Sequence, residues 1–98
     1  MRSPKIRWDD RAAASDRGWA FADLPGLGQS DEYRCVGFYL DYGGEGAGRA
    51  RFFARAYVIK TDALGARTVD LGESRFATAG AARRFVERAV RRAARGAA

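Results

Sequence analysis

From Arg34 to Lys60 the side chains alternate in two runs, and four glycines within six residues, Gly43-Gly44-Glu45-Gly46-Ala47-Gly48, separate them. In the first run Val36, Phe38, Leu40 and Tyr42 fall on one side and Cys35, Gly37, Tyr39 and Asp41 on the other. In the second, Phe52, Ala54, Ala56 and Val58 oppose Arg51, Phe53, Arg55, Tyr57 and Ile59. A period of two belongs to strands, whose successive side chains point to opposite faces. Glycines between two such runs let the chain reverse, so the pair predicts an antiparallel hairpin. The glycine run lacks the lysine and the following helix of a phosphate-cradling loop, which leaves hairpin flexibility as its role.

The C-terminal stretch changes period. Thr78 has the hydroxyl of a good N-cap. At about 100° per residue, Ala82, Phe85, Val86, Ala89, Val90 and Ala93 gather on one side. Arg83, Arg84, Arg88, Arg91, Arg92 and Arg95 cover the other, with Glu87 among them and Gly96 as a stop. The alanines let such a helix lie close to a sheet, and arginines late in a helix complement the negative end of its dipole.

Around these two features the remaining elements are shorter. Trp8 to Gly18 reads as a short helix, with Asp9 or Asp10 to cap it and Arg11 to Ala14 to propagate it. Trp19 to Leu24 reads as a strand closed by Pro25-Gly26, and Leu27 to Glu32 as loop. Thr61 to Gly65 forms a turn, and Arg67 to Leu71 a further strand with Val69 and Leu71 inward. The expected fold is α+β: a three- to four-stranded antiparallel sheet packed against one C-terminal amphipathic helix, with the short N-terminal helix beside it. Residues 1–98 form one domain, the sheet spanning 19–72 and the helix 78–95.

A hydrophobic fraction of 47% and an aromatic fraction of 12% are enough for a packed core, so wholesale disorder is not expected. No apolar run approaches the ~20 residues of a membrane span, and the basic N-terminus has no apolar stretch behind it to make a secretory signal. The single cysteine, Cys35, excludes an internal disulfide and fits a reducing cytoplasm. Without histidine the chain lacks the commonest general base and metal ligand. Cys35 has no imidazole to activate it and reads as a small buried apolar residue. No catalytic residue, metal or cofactor is expected, and a binding protein is favoured over an enzyme.

Charge is distributed unevenly. Residues 1–50 carry 7 basic and 8 acidic side chains, a balance of −1, whereas residues 51–98 carry 11 and 4, a balance of +7. Such asymmetry favours polyanions or acidic protein faces. Arginine accounts for 16 of the 18 basic residues, a bias that GC-rich coding also produces. Two binding surfaces are candidates. On the strand Arg51-x-Phe53-x-Arg55-x-Tyr57, cations alternate with rings, as suits phosphates and stacked bases. The same rings equally serve a second small core under Trp8, Trp19 and Phe21, or a homodimer contact through Phe53 and Tyr57. The other surface is the helix side bearing Arg84, Arg88, Arg91, Arg92 and Arg95, where like charges at i, i+4 repel by a few tenths of a kcal/mol per pair.

The run Gly65 … Phe76-x-Thr78-x-x-x-Ala82-x-x-Phe85 resembles the end of the small DNA-binding modules of tyrosine-type phage integrases, which are related to the AP2 fold. The resemblance covers roughly residues 34–93. It implies three antiparallel strands before a helix, a sheet that enters the major groove, and a reading role for Arg51, Arg55 and Tyr57. The chain departs from that family in the thirty or so residues before the sheet and in having no recombinase catalytic domain after it. A double-stranded-RNA-binding domain shares a similar element order, but Ala79-Gly80-Ala81 stands where its basic cluster would be.

The expected function is that of a small non-enzymatic nucleic-acid-binding protein that uses a basic surface. The alternative is a protein-binding inhibitor or adaptor, for example a phage-encoded protein that blocks a host nucleoprotein complex such as a CRISPR effector by docking on an acidic patch. If the sheet reads the ligand, replacing Arg51 and Arg55 should weaken binding more than replacing Arg84 and Arg88.

Overall fold

In the computed structural model, residues 4–9, 17–43 and 50–96 are described. Five strands, β1 (Arg7–Asp9), β2 (Arg17–Phe21), β3 (Cys35–Asp41), β4 (Phe52–Asp62) and β5 (Gly65–Phe76), precede one helix, α1 (Ala79–Gly96). Strand order in the sheet follows chain order, and every neighbouring pair is antiparallel. The fold is therefore α+β, with more strands than the three to four expected.

Both differences in the sheet have a physical origin. Arg7-Trp8-Asp9 is too short for alternation to show, yet it pairs with β2 through Arg7↔Phe21, Trp8↔Ala20 and Asp9↔Trp19. The helix expected from Trp8 to Gly18 is thus corrected at both ends, where Trp8 and Gly18 lie in strands. Residues 10–16 of that expectation lie outside the described residues. At the other edge, β5 continues past Leu71 through Gly72-Glu73-Ser74-Arg75-Phe76, to pair Phe76 with Phe52. An edge strand with one exposed face carries little apolar signal, which is why the sheet reaches beyond the 19–72 expected. The turn contracts to Ala63-Leu64, held by the Leu64 amide donating to Asp62 Oδ1 at 2.8 Å, and Gly65 takes a φ of 114° there.

Two register shifts set which residues face the helix. One lies where Ala20 and Phe21 of β2 face Gly37 and Cys35, leaving Val36 unpaired. The other lies where Ala56 and Tyr57 of β4 face Gly72 and Asp70, leaving Leu71 unpaired. A bulge lets consecutive residues share a side. Val36 and Gly37 accordingly both meet the core, a departure from strict alternation through β3.

The helix packs on a floor of small residues. Ala20, Ala54 and Ala56 are fully buried, as are Ala82, Val86 and Val90 of α1. A β-carbon on Gly37 would stand 2.6 Å from Val86 Cγ1 and 2.6 Å from the Arg55 carbonyl oxygen, so glycine sets how closely the helix approaches β3. Phe85 and Ala89 join the core edge as the periodicity predicts, and Ala94 packs there too. Thr78 caps the helix: its Oγ1 accepts the Ala81 amide hydrogen at 3.1 Å. The sheet's other face carries none of the described elements.

Candidate nucleic-acid interface

Strand β4 holds Phe53, Arg55 and Tyr57 side by side on the face away from α1. Cross-strand partners share a face, and Phe53 pairs with Leu40 and Arg75, Arg55 with Phe38 and Glu73. The Phe38 ring lies 6.1 Å from that of Phe53 and 6.2 Å from that of Tyr57. This part of the expected constellation is brought together. Arg51 is not part of it. It precedes the strand and forms a bidentate pair with Asp41, Nε to Oδ1 at 3.0 Å and Nη2 to Oδ2 at 2.6 Å. Its guanidinium stands over the Phe52 ring, which belongs to the core on the helix side.

Both strand arginines have carboxylates of their own chain. The hydrogen bond from Arg51 holds the Asp41 carboxyl below its ordinary range, and Asp41 in turn raises the arginine. Arg55 Nε donates to Asp70 Oδ1 at 2.7 Å, which raises its pKa, and its guanidinium lies 5.7 Å from the Tyr57 ring centroid. Tyr57 is itself half-buried. Burial first, and the contact of its hydroxyl with Cys35 Sγ at 3.0 Å second, push its phenol well above the usual value of 10. Cys35 is half-buried rather than enclosed, because the bulge at Val36 turns it toward Tyr57.

On α1 the situation is reversed. Arg84, Arg88, Arg92 and Arg95 are exposed and Arg91 is half-buried. With helical spacing these five occupy an arc of about 100° centred opposite Val86. None of them forms an ion pair with a carboxylate among the described residues. Arg83, expected on the same outward side, instead turns inward. It lies over the rings of Trp8 and Tyr39, at 5.0 and 5.4 Å, and donates to the Tyr39 hydroxyl at 3.2 Å. Glu87, the helix's one carboxylate, accepts from the Trp8 indole at 3.3 Å. Among the described residues the five arginines of the stripe thus form no ion pair, although Glu73 lines the groove beside Arg84, Arg88 and Arg92.

One margin of the stripe overhangs a half-open groove of about 550 Å³ between α1 and β5. Arg84, Arg88 and Arg92, one turn apart, form its wall, and Leu71, Phe76 and Phe85 its apolar floor. The Gly72 backbone also lines it, at a φ of 136°, and a β-carbon there would come within 3.3 Å of Phe85. Sequence reasoning missed this groove because it took β5 to end at Leu71. It also missed the Trp8–Tyr39–Arg83–Glu87 cluster, whose one signal was the i, i+4 spacing of Arg83 and Glu87.

Among the described residues no group of three acidic, cysteine or histidine side chains is placed to hold a metal ion, and no helix is long and apolar enough to cross a membrane. Comparisons with protein-family models, curated proteins and solved structures found no match to the chain.

Proposed function

We propose that the chain binds nucleic acid through the outward side of α1, with Arg84, Arg88, Arg91, Arg92 and Arg95 contacting phosphates. The observation that carries this reading is the absence of any carboxylate partner for these five arginines among the described residues. Like charges one turn apart cost the free helix a few tenths of a kcal/mol per pair. A polyanion turns that cost into a gain, because each phosphate contact releases condensed counterions. An α-helix is about 10–12 Å across with its side chains and fits the ~12 Å width of a duplex major groove. Arg51 and Arg55, engaged by Asp41 and Asp70, contribute less on this reading than the phage-integrase resemblance implied.

Fluorescence anisotropy with a labelled DNA duplex at low salt tests the assignment. Replacing Arg84, Arg88 and Arg92 together by glutamine should weaken binding by well over tenfold, and replacing Arg51 and Arg55 by much less. The opposite ranking would return the site to β4. If the purified protein instead retains a stoichiometric polypeptide after nuclease treatment and fails to bind DNA, the stripe serves an acidic protein surface, the inhibitor or adaptor role.

A further inference from the structure

A second surface is independent of the arginine stripe. Three strands present Trp19, Phe38, Leu40, Phe53 and Tyr57 on the side away from α1, in register across β2, β3 and β4. Trp19 is 38% exposed, and Tyr42, whose ring meets Phe53 at 6.0 Å, is 56% exposed; between them Phe38, Leu40, Phe53 and Tyr57 are half-buried. Contiguous apolar surface of this kind on a small protein marks an interaction site.

We propose that two copies of the chain pack this face against itself, forming a dimer of four layers with the sheets inside and the helices outside. Charge on the face favours a second copy over a polyanion. Arg55 is paired with Asp70, Arg75 stacks over Tyr42 at 5.6 Å, and Asp9 and Arg17 are each already engaged. Positive and negative groups thus alternate there, whereas the outer side of α1 holds five arginines. A face of mixed sign can complement its own copy about a two-fold axis.

The area is sufficient. Five strands at about 4.8 Å spacing and six residues at about 3.3 Å rise give roughly 480 Å² per copy as a flat plane. Two copies then bury about 1,000 Å², more with side-chain relief, which reaches the lower bound for a specific interface. Sheets so stacked stand about 10 Å apart with strands inclined by roughly 30°. Pairing through the free edge of β5 is disfavoured. A two-fold axis normal to the sheet would bring the Arg84, Arg88 and Arg92 rows of both copies to the same side, facing each other. Stacking through the rings sends the two arginine stripes to opposite outer sides, so the dimer presents two separate basic helices.

Light scattering on the full chain over a dilution series is the test. The expected mass at high concentration is twice 10.7 kDa. Trp19→Arg should weaken the dimer at least about tenfold, the loss of one central aromatic anchor. Tyr42→Arg, at a more exposed position, provides a second variant should the first fail to fold, as judged by circular dichroism. Arg88→Glu should leave the mass unchanged. A monomer at every concentration overturns the proposal, as does a dimer that survives both ring substitutions or is lost with Arg88→Glu. A monomer that stacks single-stranded oligonucleotide on Trp19 also overturns it. Because Arg88 tests the stripe and Trp19 the rings, failure here is separable from failure of nucleic-acid binding.

Discussion

The Trp8 indole donates to Glu87 Oε2 at 3.3 Å, across 79 residues of sequence. This contact ties the first strand to the helix and engages Glu87, the one carboxylate that α1 itself carries. Arg83, one turn earlier, closes over the same indole. The N-terminal edge of the sheet therefore holds Glu87 out of an ion pair with the stripe, while its negative charge stays on the helix.

Replacing Glu87 by glutamine keeps an oxygen to accept from the indole and removes the negative charge. The variant should bind a DNA duplex about two- to fivefold more tightly at low salt, with the difference fading as salt is added. Its stability should fall by no more than about 1 kcal/mol, for the weaker hydrogen bond. Anisotropy and urea unfolding measure the two quantities. Unchanged or weaker DNA binding by a stably folded variant would count against an electrostatic role for the stripe.

Gly37 is the point of closest approach between α1 and β3. Gly37→Ala places a methyl against Val86 and the Arg55 carbonyl, and backbone cannot yield as a flexible side chain does. A loss of about 1–3 kcal/mol is expected, in line with overpacking of a filled core. A urea midpoint equal to that of the parent chain would show that the helix lies farther from the sheet.

Asp41 gives the fold a sensitivity to acid. Its carboxyl is held below the ordinary value of 3.8, with the Arg51 hydrogen bond the leading cause. The folded state thus binds this proton less readily than the unfolded state. The stabilisation is complete above the unfolded value and is lost as pH falls from about 4 through the folded value. Asp41→Asn should lower stability at neutral pH and flatten the decline between neutral and acidic conditions. Thermal unfolding of both proteins across that range measures it, and parallel pH profiles would contradict the assignment.

Legibility in the sequence followed burial. The helix and the β3–β4 pair were readable because one side of each is continuously buried, and Thr78 marked the helix start. β1 was not, because three residues cannot display a period, and the last residues of β5 were hidden by their polar exposed face. Each bulge has a glycine beside it, Gly37 and Gly72, but a glycine within a strand marks close packing as well as a bulge and so did not place either. Among site residues, Phe53, Arg55 and Tyr57 were correctly assigned to one strand face. The engagement of Arg51 by Asp41, and of Arg83 by Trp8 and Tyr39, depends on contacts between distant segments that spacing along the chain does not encode.

The central claim, that the outer arginines of α1 meet phosphates, is tested most directly by the salt dependence of duplex DNA binding. Five phosphate contacts predict a slope of log affinity against log salt of about −4 to −5, and replacing Arg84, Arg88 and Arg92 by glutamine should make it shallower by about 3. A slope near zero, or one left unchanged by those three substitutions, would contradict it.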